Sequence, residues 1–160
     1  NGILIKDAES LEIAQKINAV VLDKTGTLTE GKPKVTAFHS VVPTKDVRML
    51  KAVLNSIESN SEHPLAMAVT EWLKTEHIEK HPVSGFQSIT GLGVNAIVLG
   101  KKYFLGNLRM MKENELRIPD ELIKEMADIQ SKAQTVLYLA NGEKVLAVMT
   151  ILPLVFSGTE

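Results

Sequence analysis

Two rhythms alternate along this chain: short apolar runs cut by glycine, and longer stretches with an apolar residue every three or four positions. The first rhythm predicts buried strands and the second predicts helices with one apolar face. Gly2 to Lys6 opens the chain as a short apolar stretch, and Asp7 to Gln15, with Leu11 and Ile13, predicts a short helix. Asn18-Ala-Val-Val-Leu-Asp23 is an apolar run ending in a carboxylate, followed at once by Lys24-Thr25-Gly26-Thr27. That is the pattern of a buried strand opening into a loop. Gly31-Lys32-Pro33 marks a boundary, and Lys34 to Val42 predicts a strand. Val47, Leu50, Leu54 and Ile57 share one face of a helix expected to be capped by Thr44 and to run to about Asn60. Pro64 suits the first turn of a second helix, whose stripe is Leu65, Val69, Trp72 and Leu73.

The middle of the chain returns to the strand rhythm. Val83 to Thr90, Gly93 to Leu99 and Tyr103 to Leu105 predict strands, punctuated by Gly91, Gly93, Gly100 and Gly106. Asn107 is placed to begin a short helix, and Pro119 and Asp120 open a longer one carrying Leu122, Ile123, Met126 and Ile129. Thr135 to Ala140 and Lys144 to Ile151 flank Asn141-Gly142, a strong hairpin signal. The middle therefore predicts antiparallel strands with helices, while the two ends resemble pieces of a separate, parallel sheet.

Composition narrows the function classes. At 160 residues and 44% apolar, the chain suits one domain or two small ones with a real core. Its net charge of -1 comes without clusters of Lys and Arg, so neither a nucleic-acid surface nor an anionic-membrane surface is indicated. It has no cysteine, which removes disulfides and thiolate metal sites. The longest apolar run, Val145 to Phe156, holds Thr150 and Pro153 and is shorter than the roughly 20 residues a spanning helix needs, so it predicts a buried strand. No signal-peptide pattern appears and the first residue is Asn1, as expected of an excised piece. His39, His77 and His81 lack metal-ligand spacing and are expected at the surface. Met110, Met111 and Met126 are expected as core or surface fill rather than a copper site, and Trp72 is expected in the core.

The sharpest chemistry lies at Asp23-Lys24-Thr25-Gly26-Thr27-Leu28-Thr29. A carboxylate at a strand end can attack a phosphoryl group to form an aspartyl phosphate. Gly26 permits an unusual backbone there, and the Thr27 hydroxyl with nearby N–H groups can hold phosphate oxygens. This string resembles the phosphorylation motif of P-type ATPases, within the haloacid dehalogenase-like superfamily. Related phosphatases carry a second Asp two positions on as a general acid and base; Thr25 stands here instead. That swap favours a longer-lived phosphoenzyme over a phosphatase.

A second constellation narrows the resemblance to the heavy-metal-transporting branch. Ser61-Glu62-His63-Pro64 resembles its Ser-Glu-His-Pro motif, Gly91-Leu92-Gly93 its Gly-x-Gly turn, and Gly106-Asn107 its Gly-Asn pair. The resemblance runs from Gly2 to about Thr150. It implies that Glu58, His63, Gly91, Gly93, Gly106 and Asn107 bind ATP. It implies that Asp23 is phosphorylated, with Lys24, Thr25 and Thr27 in support, and that Asp23 and Thr25 meet magnesium in the intact pump. Copper or silver is the leading expectation for the ion.

The expected fold class is α/β (α+β). An antiparallel sheet flanked by helices, the nucleotide-binding domain at 33–145, is inserted in an incomplete haloacid dehalogenase-like parallel-sheet phosphorylation domain. Residues 1–32 are its N-terminal part, and 146–160 start its returning segment or form a foreign tail. The family's Thr-Gly-Asp turn, charge-neutralising Lys and Gly-Asp-Gly loop do not occur in this sequence, so little or no autophosphorylation is expected of it. The expected partners are ATP and the remaining phosphorylation, actuator and transmembrane domains of a pump at the cytoplasmic face of a membrane. The piece itself is expected to be a monomer that neither inserts in the membrane nor binds nucleic acid. Two rival readings are a free-standing phosphatase of the same superfamily and a truncated interaction module without catalysis.

Overall fold

In the computed structural model, which describes residues 32–152, the two rhythms resolve into six strands and four α-helices. Strand β1 (Lys34–Ser40) leads through a single 3-10 turn (Thr44–Asp46) into α1 (Val47–Glu58) and α2 (Pro64–Thr75). A meander follows: β2 (Val83–Ile89), β3 (Gly93–Val98) and β4 (Lys101–Gly106). Then come α3 (Leu108–Glu113), α4 (Asp120–Ser131), β5 (Thr135–Asn141) and β6 (Val145–Leu152). The strands form one antiparallel sheet in the order β1-β6-β5-β4-β3-β2.

Alternation along each strand sends side chains to two separate cores. Leu105 and Leu139 face Leu50, Leu54 and Ile57 of α1 and Val69 and Leu73 of α2. Their neighbours Phe104, Val136, Tyr138 and Ala140 face Met110 and Met111 of α3 and Met126 of α4. Helices thus cover both faces of the sheet. This explains why β6, buried from Val145 to Ile151, reads as an unbroken apolar run rather than an alternating one. Of the two places open to them, core and surface, Met110, Met111 and Met126 take the core and are fully buried. Trp72 is half-buried instead: its ring lies 5.9 Å from that of Phe38, with the Lys51 ammonium 4.7 Å above it. Of the histidines, His39 and His77 are exposed, and His81 is half-buried.

Three local expectations are corrected. Helix α1 is not capped by Thr44. The 3-10 turn delivers the chain to Asp46, which occupies the cap position without a side-chain bond, and Asp46 N–H bonds the Pro43 carbonyl at 2.9 Å. Leu99 leaves the strand and turns with Gly100, at φ 51° and 73°, because Val98 and Lys101 pair directly and only two residues remain to reverse the chain. Asn141-Gly142 does form the expected hairpin between β5 and β6, with Asn141 Oδ1 accepting from the N–H groups of Glu143 and Lys144, each at 2.9 Å. Finally, the segment from 146 to 152 does not leave for another sheet. β6 pairs with β1 on one side and β5 on the other, so its backbone groups are satisfied inside this domain. The expected parallel-sheet strand at 18–23 and the tail beyond 152 lie outside the described residues.

Candidate functional site

Glu58 ends α1, and the chain then turns through Ser59 and Asn60 toward α2. The turn is held by main-chain bonds from Asn60 to Ile57 (3.0 Å) and from Ser61 to Glu58 (3.1 Å). His63 is the cap of α2. It sits in an extended conformation and its Nδ1 accepts from Leu65 N–H at 3.2 Å, while Pro64 takes the first helical position, where no donor is needed. With Nδ1 an acceptor, the neutral ring carries its proton on Nε2. The same motif that reads as a helix cap therefore also aims an imidazole donor, and the two functions use different nitrogens.

Opposite this helical corner stands the turn between β2 and β3. Leu92 N–H bonds the Ile89 carbonyl at 3.0 Å, and Gly91 occupies the third position at φ +73°. That is the left-handed region a type II turn requires there. A Cβ on Gly91 would meet nothing within 4 Å, so the space beside this turn is open. Gly93 answers a different demand. Its strand runs against Gly106 of β4, and a Cβ would strike the Leu105 carbonyl oxygen and the Gly106 Cα. Gly93 and Gly106 are thus required by the close approach of two backbones, whatever binds nearby.

Asn107 joins the two halves of this end of the sheet. It caps α3 with Oδ1, accepting from Met110 N–H at 3.0 Å, and its Nδ2 donates to the Gly91 carbonyl at 2.8 Å. Its own N–H bonds the Leu92 carbonyl at 2.9 Å. Both polar ends of the side chain are occupied, so Asn107 braces the Gly91 turn.

Between corner and turn opens a cleft of about 500 Å³. Glu58, Ser61 and His63 line one side, Thr90, Gly91 and Asn107 another, and Leu65, Leu92, Val94, Leu105 and Leu137 supply apolar walls. Five of the six residues that sequence resemblance assigned to nucleotide binding line it: Glu58, His63, Gly91, Gly93 and Asn107. Gly106 backs Gly93 from the neighbouring strand. Sequence reasoning missed the first residues of β5, Thr135 to Leu137, and the hydroxyls of Ser88 and Thr90. No motif marks them, because β5 reaches the cleft only through sheet pairing. Asp23, Lys24, Thr25 and Thr27 lie outside the described residues.

Glu58 is the chemical centre of the cleft. The residue is only 6% exposed, and burial pushes its pKa up to about 7. The helix C-terminus on which it sits offers a carboxylate no electrostatic help, and no hydrogen bond or ion pair among the described residues offsets the cost. The cleft thus offers a slot with apolar walls, an acceptor at depth, an imidazole donor at the rim and a glycine turn whose backbone is accessible. This suits a flat heteroaromatic ring bearing an amine. Among the described residues, no group of three His, Cys, Asp or Glu is placed to hold a metal, and no helix is long and apolar enough to cross a membrane.

Comparison with known proteins gives this architecture its class. The fold resembles the crystal structure of the N-domain of HMA6, a copper-transporting P-type ATPase, at TM-score 0.60 and 22% identity over 76% of this chain and 99% of that one. It also resembles the catalytic domain of the CPx-ATPase CopB-B, in a structure describing its conformational changes upon nucleotide binding. There the TM-score is 0.63, at 21% identity over 98% of this chain and 52% of that one. The fold is therefore that of the nucleotide-binding and catalytic domains of P-type ATPases.

A family model described as haloacid dehalogenase-like hydrolase matches residues 17–159, and the chain belongs to that family. The match runs past Thr150, where the resemblance read from the sequence stopped. In sequence, the chain is 37% identical over 155 residues to the probable copper-transporting ATPase HMA5 of Arabidopsis thaliana, covering 94% of this chain and 16% of that protein. Across its copper- and silver-transporting relatives the chain spans 15% to 21% of their length. It corresponds to one part of a full-length heavy-metal P-type ATPase.

Proposed function

We propose that this chain binds ATP on behalf of a heavy-metal cation pump, at the cytoplasmic face of a membrane, and that the nucleotide occupies the 500 Å³ cleft. The observation that carries this reading is the convergence of Glu58, a buried residue, with His63 and the Gly91 turn on one slot. The adenine ring enters between the His63 imidazole and the apolar wall. Its exocyclic amine donates to Glu58, which gives the buried carboxylate its missing partner. The Gly91 turn, braced by Asn107, leaves room for the ribose and phosphates to pass without meeting a side chain.

In the intact pump the terminal phosphoryl group passes to Asp23. A carboxylate oxygen forms a bond to phosphorus as the bond to the departing ADP oxygen breaks. Lys24 and Thr27 support the phosphate. Magnesium would be held by Asp23 and Thr25, where it supplies charge neutralisation to the transferring group. The remaining phosphorylation, actuator and transmembrane domains complete the machine. The transported ion is copper or silver, in keeping with the relatives' own names.

The test is titration of ATP, ADP, AMP and GTP into the chain by calorimetry or NMR shift mapping, with Glu58→Ala and His63→Gln alongside. Adenine-selective binding weakened by both substitutions is the expected result. No saturable nucleotide binding by a folded sample would refute the reading.

A further inference from the structure

Beside the large cleft lies a second, of about 170 Å³, and the two share Glu58 and Ser61. Ser59, Met67, Thr70, Lys74 and Lys80 complete its walls. Lys74 lies in the last turn of α2 and Lys80 in the connection to β2. Neither forms an ion pair among the described residues, whereas Lys32, Lys51, Arg109, Arg117 and Lys132 each have an acidic partner. What sets these two apart from the other cations without an ion pair is that both line one concavity.

The hydrogen-bond inventory sharpens the point. Ser59 and Thr70 spend their hydroxyl protons on the main-chain carbonyls of Asn55 (2.6 Å) and Met67 (3.0 Å). Ser61 accepts from His63 N–H at 3.3 Å, which leaves its own proton free to donate. Among the described residues Glu58 forms no hydrogen bond or ion pair, and a neutral carboxyl there is a donor. The titratable groups on the walls around it are His63, Lys74 and Lys80. Every uncommitted polar proton of the second cleft thus suits an oxyanion.

We propose that this second cleft is an anion subsite taking a phosphoryl or sulfate-like group, held by Lys74 and Lys80 and capped by the Ser61 hydroxyl. A neutral Glu58 carboxyl adds a donor to the anion through its hydroxyl while its other oxygen still accepts, and an ionised one repels the anion. The subsite itself does not depend on the large cleft taking a nucleotide.

Sulfate, whose charge is constant from pH 6 to 8, is the first probe, followed by NMR shift mapping on the whole chain. Saturable shifts at Thr70, Lys74 and Lys80 are expected, weakened at least tenfold in the double variant Lys74→Ala/Lys80→Ala. From pH 6 to 8 the wild-type affinity should fall about tenfold as Glu58, with its pKa near 7, ionises; in Glu58→Gln the profile should be flat. Adenosine and ATP distinguish the source of the anion. If the double variant weakens ATP but not adenosine, the nucleotide's own phosphates reach the subsite; if it weakens neither while sulfate binding is lost, the ligand is free phosphate. Unsaturable shifts, or equal sulfate affinity in the double variant, overturn the proposal. Failure of the nucleotide reading would appear separately, as absence of adenosine binding at Gly91 and Gly93.

Discussion

Glu58→Gln should make the empty protein more stable while making it a poorer binder of ATP. Glu58 lies 6% exposed with its pKa pushed by burial from 4.5 to about 7. An acid whose pKa is raised on folding binds its proton more tightly in the native state, so ionisation costs stability. Below pH 4.5 the group is protonated folded and unfolded, and the cost vanishes. It grows between pH 4.5 and 7 and is complete above, where the shift corresponds to about 3 kcal/mol. Gln carries no charge and escapes the cost. Urea unfolding without nucleotide at pH 5 and pH 8 reads this directly. Relative to wild type, the stability of Glu58→Gln should rise by roughly 2 kcal/mol between the two. The slope matters, because the amide adds its own pH-independent offset. The ATP affinity of the variant should fall at pH 8, since a neutral carbonyl accepts less strongly than a carboxylate. A stability difference that is the same at both pH values would refute the claim that Glu58 is held unpaired for a ligand.

The remaining sites separate structural from binding roles. Gly93→Ala should destabilise by about 3 kcal/mol or more, since its Cβ meets main-chain atoms of β4 that cannot yield. Gly91→Ala meets open space and should cost only about 1 kcal/mol of backbone strain, visible in the same urea curves. Asn107→Asp keeps the acceptor that caps α3 but loses the donor to Gly91, so thermal stability should hold nearly steady while ATP affinity drops. Asn107→Ala loses both and should also cost about 1 kcal/mol. His63→Asn preserves a capping acceptor for Leu65 N–H but removes the imidazole; weaker ATP binding at near-native stability is expected, and calorimetry checks both.

The sequence by itself determined much of this protein, wherever the signal is local. Leu50, Leu54 and Ile57 recur at helical spacing, so α1 and its buried face could be read directly. Pro64 after His63 marked the start of α2, and Asn107 marked that of α3, because caps are decided by residues a few positions apart. The motif residues Glu58, His63 and Gly91, picked out by their order along the chain, line one cleft. Only the tertiary structure decided what depends on distant pairing. Asn141-Gly142 marked β6 as the hairpin partner of β5, but an apolar run carries no address for its other neighbour; the pairing with β1 comes from ladder bonds to a strand far away in the chain. The reason for Gly93 lies in β4, the walls at Thr135 to Leu137 come from β5, and the occupied side chain of Asn107 emerges only once α3 and the Gly91 turn meet. The elevated pKa of Glu58 belongs to the same class, since desolvation is a property of the packed surroundings and no residue type encodes it alone.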